Sequence, residues 1–298
     1  MNPSTHVGVI GLGLIGTSLA QRLLNAGYSV YGFDVNKARC DHLAQLGGEP
    51  CESAQAVGIH CKQIVFAVFN TDQVEALLEE KKDNPFYAHL GPQHQVICTS
   101  TCDPDRIESL ASRLSDAGPQ FLEAPLSGNS DQIAKGNGIF LIGGSLSVMN
   151  ECAPVLEAIA KQHFFLGKAG SGGRAKLAVN LIGGLNRAVM AEGLAFAESM
   201  GLELVAFLEV LKNSAAYSRT MDNRGLKMIH SDYEPHAFLN QSLKDFTLMH
   251  EVASRVGQSL PLAKEYVEIV KSCISHGEGH LDNSVVMKEM RRRRTITD

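Results

Sequence analysis

No two cysteines in this 298-residue sequence stand at the CxxC spacing of a zinc site. The seven present, at positions 40, 51, 61, 98, 102, 152 and 273, are odd in number and sit among apolar neighbours. That reads as reduced core residues rather than a disulfide framework, and no metal is expected. An excess of one charge is also missing. Lysine and arginine number 27 against 32 acidic residues, a net −5, which gives no footing for nucleic acid or a membrane surface. The single basic run, Arg291 to Arg294, is expected to be a solvated tail. The opening MNPSTHVGVIGLG has no basic segment followed by an apolar stretch and a small-residue cleavage site, so a cytoplasmic protein is expected. Internal repeats and low-complexity stretches are absent too.

What is present suits a globular enzyme: 44% hydrophobic and 20% charged residues, in a chain long enough for two cores of the usual domain size. The first half alternates β-branched apolar runs with amphipathic stretches, the pattern of βαβ units. Strands are predicted at 6–10, 29–34, 63–69, 95–99, 120–124 and 138–143. A helix over 15–25 closes at Ala26-Gly27. Others begin at Thr71-Asp72 and after Asp103-Pro104, where capping residues and a first-turn proline suit a helix start. After Leu166 strand-like runs cease. From Arg174 to about Met200 there is no proline and apolar residues recur at helical spacing, so one long helix of about 40 Å is predicted. Its small residues, among them Gly183, Gly184 and Gly193, suit close helix contacts and a subunit interface. The expected fold is therefore α/β: an N-terminal Rossmann-type doubly wound sheet over 1–167, then an all-α domain over 168–298 entered through a long interdomain helix. That second domain is expected to carry substrate contacts and to form a homodimer or homotetramer.

The apolar run Val7 to Ile10 leads straight into Gly11-Leu12-Gly13-Leu14-Ile15-Gly16, which opens an amphipathic helix. In that context GxGxxG has a mechanism. Gly11 permits the tight turn, Gly13 lets backbone approach a pyrophosphate, and Gly16 lets helix and strand pack closely. The helix N-terminus offers amides and partial positive charge to the phosphates. Asp34 ends the next predicted strand eighteen residues after Gly16, the place of an acid that binds the adenosine ribose. Its carboxylate repels a 2′-phosphate, so NAD is predicted over NADP. Lys37 and Arg39 offer positive charge nearby, but Val35 directly follows the acid, where NADP enzymes often keep an arginine.

Further segments, read with the first, resemble the β-hydroxyacid dehydrogenases, a family that includes 3-hydroxyisobutyrate, tartronate semialdehyde and threonate dehydrogenases. Glu123-Ala124-Pro125-Leu126-Ser127-Gly128-Asn129 is similar to the family's DAPVSGG segment, which implies substrate contacts from Ser127, Gly128 and Asn129. Asn129 departs from the family's second glycine, and Ile133 stands where alanine is usual. Taken alone the segment also reads as a surface turn. Gly170-Ser171-Gly172-Gly173-Arg174-Ala175-Lys176-Leu177-Ala178-Val179-Asn180 fits the family's GxGxxxKxxxN. Four residues apart on a helix, Lys176 and Asn180 share a face. The resemblance makes Lys176 the acid–base residue that takes the substrate's hydroxyl proton, and Asn180 a substrate ligand. Without it, a lysine early in a helix is a solvated charge.

Lys244-Asp245-Phe246-Thr247-Leu248 resembles the family's KDLxL, which places Lys244 near the nicotinamide. Asn70 and Thr101 align with strand-end positions that touch the cofactor in relatives, although Phe69 stands where proline is usual. Asn223-Arg224 and Asp232-Tyr233-Glu234-Pro235-His236 look most like the threonate type, implying a short polyhydroxy acid. Two alternatives stay open, and Lys176 argues against a third, the imine reductases. A 6-phosphogluconate dehydrogenase-like decarboxylating enzyme normally has a histidine where this chain has Val179. Imine reductases replace the lysine. A non-catalytic NAD-binding scaffold would have lost the chemistry.

Overall fold

The computed structural model describes residues 5–79, 84–114 and 118–294. The chain divides into two compact units, residues 1–176 and 177–298.

The first unit is built on β1 (His6–Ile10), β2 (Ser29–Phe33), β3 (Glu49–Pro50), β4 (Gln63–Phe66), β5 (Gln95–Cys98), β6 (Gln120–Glu123), β7 (Leu126–Ser127), β8 (Ile139–Gly144) and β9 (Gln162–Phe165). Strands β3-β2-β1-β4-β5-β6 lie side by side in that order and all pair in parallel. The order reverses at β1, where Val9 faces Gly32 of β2 on one side and Val65 of β4 on the other. Successive residues supply opposite faces. Val65 and Ile97 join one apolar cluster, while Ile64, Phe66, Val96 and Cys98 join another. Two cores on two faces are what a doubly wound sheet requires.

The predicted strands stand, each within a few residues of its expected end. The connecting helices follow local signals. α1 (Leu14–Asn25) ends at Ala26, and Gly27 takes φ +87°. α2 (Lys37–Gln45), α3 (Ala54–His60) and α4 (Thr71–Leu78) are capped by the side chains of Asn36, Ser53 and Asn70. α5 (Pro85–His89) and α6 (Pro104–Arg113) each begin on a proline after a capping residue, Asn84 and Asp103. α7 (Ser130–Ala134) and α8 (Leu146–Ile159) complete the set.

The far edge departs from the all-parallel pattern. β8 runs antiparallel to β6 and β7, and β9 pairs in parallel with β8. Neither β7 nor β9 is evident from sequence. β7 has two residues. β9 exposes both Phe164 and Phe165 and so lacks the alternation that marks a strand.

The long helix α9 runs Ser171–Ser199, three residues longer at its start than the pattern indicates. The second unit adds α10 (Leu204–Lys212), α11 (Arg219–Ile229), α12 (Leu239–Arg255), α13 (Pro261–Ser275) and α14 (Val286–Arg292). Their apolar stripes meet in one core that includes Leu194, Leu208, Met228, Phe246, Tyr266 and Val270. A Cβ on Gly184 would lie 2.4 Å from the Phe246 ring, so this glycine lets α12 sit against α9. Gly183 and Gly193, by contrast, have no neighbour within 4 Å.

Asp282 is fully buried. One oxygen accepts the amides of His236 and Ala237 at 2.8 and 3.2 Å. The other accepts the amide of Ser284 at 3.0 Å and lies 3.3 Å from Nε of the buried Arg224. Arg224, singled out for its sequence context, is thus held by a buried ion pair of the core.

The basic run is not a free tail. Arg291 pairs with Glu198, Arg292 with Glu278 and Glu289, and Arg293 with Glu289. Glu289 is a neighbour one helical turn away, whereas Glu198 and Glu278 lie 93 and 14 residues from the arginines they hold, which a local charge pattern does not reveal. Among the described residues no helix is long and apolar enough to cross a membrane.

Candidate active site

Glycine geometry shapes the turn after β1. Gly11 has φ +91°, and a Cβ there would lie 2.6 Å from the Ala67 carbonyl oxygen. A Cβ on Gly16 would lie 1.8 Å from the Gly11 carbonyl oxygen, which locks the start of α1 against the turn. A Cβ on Gly13 would clash with nothing, its nearest atom being Nη1 of Arg39 at an ordinary contact distance of 3.9 Å. Gly13 is also the N-cap of α1, with no side-chain cap and no acidic residue in the first turn. Room beside an uncapped helix start fits a dinucleotide pyrophosphate. Leu12 completes the loop, and Leu14 and Ile15 are the first two residues of α1.

Asp34 follows β2 and is buried. Its Oδ2 accepts the Leu12 amide at 2.7 Å and its Oδ1 the Asn36 amide at 2.8 Å. Arg39 Nη1 lies 3.1 Å from Oδ2. The acid therefore ties the glycine loop to the end of β2, and it brings with it a guanidinium that the sequence leaves as one of two nearby cations.

The other predicted cofactor contacts of this unit follow the carboxyl ends of β4 and β5, where ligands of open α/β sheets bind. Asn70 accepts the Gln73 amide at 3.0 Å as the cap of α4. Thr101 is buried. Around it, Thr99 Oγ1 donates to the Phe66 carbonyl and Ser100 Oγ to the Val68 carbonyl, both at 2.7 Å, binding the two strand ends together.

Ser127 ends β7, and Gly128 has φ +144°, a conformation that favours glycine. Asn129 caps α7 reciprocally with Gln132: its Oδ1 accepts the Gln132 amide at 2.8 Å, and its own amide donates to Gln132 Oε1 at 3.0 Å. That capping box explains an asparagine in the place of the second glycine. It also uses the Asn129 backbone amide, leaving the side-chain Nδ2 for other contacts.

Glu123, the last residue of β6, is 3% exposed. Its Oε2 accepts the amides of Gly170 and Gly172 at 2.8 and 3.0 Å, and its Oε1 that of Gly173 at 3.0 Å. Burial pushes its carboxyl up to about 7, against the opposing pull of those amides and of Arg174. Arg174 itself is engaged by Asp105 and Glu108, at 2.7 and 2.9 Å. Lys176, three residues beyond Gly173 on α9, is 6% exposed, not the solvated lysine that isolated sequence would suggest. Sequence reasoning gave Glu123 no role beyond its place in the segment. Its signal is tertiary, because acceptor and donors stand about fifty residues apart.

In the second unit, Asn180 Nδ2 donates to Asp245 Oδ2 at 3.0 Å, and Lys244 Nζ lies 2.9 Å from Asp245 Oδ1. One carboxylate thus gathers two predicted site residues. It fixes the orientation of the Asn180 amide and balances the Lys244 charge. Asp245 lies inside the KDLxL-like segment, where sequence alone assigns it no role.

Two family models cover most of the chain: the NAD binding domain of 6-phosphogluconate dehydrogenase over residues 6–167, and the NAD-binding domain of NADP-dependent 3-hydroxyisobutyrate dehydrogenase over 170–290. An L-threonate dehydrogenase of Cupriavidus necator is 32% identical, over 96% of this chain and 96% of its own. The chain belongs to the β-hydroxyacid dehydrogenase family. Glyoxylate/succinic semialdehyde reductase 2 of Arabidopsis thaliana is 31% identical to this dehydrogenase, over 97% of this chain and 80% of its own. The crystal structure of a 3-hydroxyisobutyrate dehydrogenase from Salmonella typhimurium superposes with a TM-score of 0.85 at 28% identity, covering 95% and 99% of the two chains. As a family member this dehydrogenase is an NAD-dependent oxidoreductase acting on hydroxy acids.

The room at Gly13 gives a direct check of the cofactor site. Gly13→Ala is expected to leave the melting temperature of this dehydrogenase within about 2 °C, since the added methyl clashes with no protein atom. NAD binding, followed by titration calorimetry, should weaken at least about tenfold, or about 1.4 kcal/mol. Unchanged affinity would mean that the pyrophosphate lies elsewhere.

Proposed function

We propose that this dehydrogenase oxidises a small 3-hydroxy carboxylic acid of the short polyhydroxy, threonate-like kind, with Lys176 as its acid–base residue. The NAD-binding domain comprises 1–167 and the substrate and dimerisation domain 168–298. The observation that carries the reading is a buried ammonium, Lys176 at 6% exposure, on the helix that bears Asn180 one turn later. An amine held away from bulk water, on a helix that also carries an amide side chain one turn on, suits a group that both accepts and returns a proton. NAD supplies the hydride acceptor. Lys176 takes the hydroxyl proton as the carbonyl forms and gives it back in reduction. The resemblance makes Ser127, Gly128 and Asn129 the substrate contacts of the first unit and Asn180, oriented by Asp245, that of the second. Lys244, its charge balanced by Asp245, belongs to the cofactor side. The threonate dehydrogenases among the relatives support a polyhydroxy substrate, and the glyoxylate/succinic semialdehyde reductases support a small one.

NADH production with 3-hydroxyisobutyrate, threonate and related acids tests this reading. At least one should turn over, and Lys176→Ala should lower kcat by about 10²- to 10⁴-fold. Undiminished turnover in that variant removes Lys176 from the chemistry. Tight NAD binding with no turnover on any acid favours a scaffold.

Asp34 and Arg39 set cofactor choice. Asp34→Ala removes the repulsion of a 2′-phosphate and frees the Arg39 guanidinium, so the NAD over NADP preference in kcat/KM should fall by at least about tenfold. Adding Arg39→Ala should cancel the gain for NADP. A double variant that keeps it shows that another cation is responsible.

The homo-oligomer rests on α9. Ile182, Val189 and Phe196 recur every seventh residue and are 62%, 67% and 64% exposed, beside the open Gly183 and Gly193. A stripe of that spacing on one helix face suits a second copy of the chain. Light scattering should give a dimer or tetramer, and Val189→Glu with Phe196→Glu should shift it to monomer. A monomeric wild type refutes the interface.

A further inference from the structure

The first turn of an α-helix leaves four amides without partners in the helix. At the start of α9 every one is accounted for. Ser171 donates to the Lys168 carbonyl at 3.0 Å, and Gly170, Gly172 and Gly173 donate to the two oxygens of Glu123. Local capping would have needed only a serine or aspartate at position 170. Instead that position is a glycine at φ +89°, and the acceptor comes from the end of β6.

Space is cleared for this arrangement. A Cβ on Gly143, Gly172 or Gly173 would stand 2.5, 3.1 or 2.7 Å from a Glu123 oxygen. Three glycines therefore surround one carboxylate, two of them also its donors. Each residue of an α-helix turns it by about 100°. Fixing the amides of residues 170, 172 and 173 consequently fixes the direction in which residue 176 leaves the helix. Glu123 also begins the segment that leads to Ser127 and Gly128, so the same residue anchors both stretches within the first unit.

We propose that Glu123 is a positioning residue, whose carboxylate, by accepting the amides of Gly170, Gly172 and Gly173, sets the rotational phase of α9 and so the place of the Lys176 ammonium. The inference rests on the acid–base reading of Lys176. Glu123 touches no substrate in this role and acts through the helix. Glutamine is its closest isostere, but it offers one acceptor oxygen where the carboxylate offers two, and its amide group would oppose a backbone N–H. Aspartate, the acid of the family's DAPVSGG segment, keeps both oxygens and the charge.

The test compares Glu123→Gln, Glu123→Asp and Lys176→Ala in the full-length chain. It uses hydrogen–deuterium exchange, NAD affinity by calorimetry, and steady-state kinetics with the best acid of the panel. In Glu123→Gln the amides of residues 170–173 should exchange at least about tenfold faster. Its kcat should fall at least about tenfold, while NAD affinity and the KM for the acid stay within about threefold. Glu123→Asp should recover most of both losses, and it serves as the informative variant if the glutamine protein does not fold. Wild-type kcat in Glu123→Gln beside an inactive Lys176→Ala overturns the proposal alone. So does an equal loss of kcat and NAD affinity in Glu123→Gln, the mark of general damage to the fold. Full activity of Lys176→Ala overturns the reading of Lys176 and the proposal with it.

Discussion

Backbone amides at the ends of helices and turns have no partner in their own element, and burying one unpaired costs about 1–3 kcal/mol. Here three buried carboxylates meet that demand across long stretches of sequence. Asp34 takes the Leu12 amide from the glycine loop and the Asn36 amide from its own turn. Glu123 takes three amides from the start of α9. Asp282 takes those of His236, Ala237 and Ser284. Each is an end of one segment holding the beginning of another. The candidate cofactor loop and Lys176 both sit immediately beside such a joint.

A joint of this kind constrains the residues around it. An amide can reach a carboxylate at about 3 Å only where side chains leave room, and glycine alone leaves enough at Gly172 and Gly173. In the glycine-rich run before Lys176 the carboxylate is the nearest obstacle at Gly173, at 2.7 Å, while the Leu141 carbonyl at 2.3 Å excludes a side chain first at Gly172 and the Pro104 carbonyl at 2.7 Å does so at Gly170. Gly16 answers a different need, the approach of a helix to the carbonyl of Gly11. The same residue type serves hydrogen bonding in one place and close packing in the other.

Much of this was legible in the sequence where the controlling forces are local. Strand periodicity placed β1, β2, β4, β5, β6 and β8. Capping residues placed the starts of α4 and α6, and GxGxxG lies in the strand–turn–helix setting that gives it meaning. What stayed hidden depends on partners far along the chain. β9 carries two exposed phenylalanines and no alternation. The pairing of Asn180 and Lys244 through Asp245 joins α9 to α12. The arginines at 291–293 read as a tail because Glu198 and Glu278, which hold Arg291 and Arg292, are not their sequence neighbours. Glu123 stood in plain view inside a recognised segment, yet its function is defined by glycines nearly fifty residues later.

The charge state of Glu123 carries a further consequence. Asp34 has Arg39 at 3.1 Å, and Asp282 has Arg224 at 3.3 Å. The guanidinium whose charge acts on Glu123, that of Arg174, is bound to Asp105 and Glu108. The amide dipoles, with a smaller pull from Arg174, oppose desolvation, and desolvation prevails, taking the carboxyl from 4.5 to about 7. A folded-state value above the unfolded one means that the folded protein binds more protons between about 4.5 and about 7. The contribution of this group to stability is complete below that window and is lost as pH rises through it. Yet only the ionised form, dominant above it, offers acceptors on both oxygens without placing a hydroxyl hydrogen against a backbone donor. The start of α9 is therefore best held at the pH where Glu123 stabilises the fold least. Such an opposition is expected where a buried charge is kept for the geometry it imposes rather than for the stability it adds.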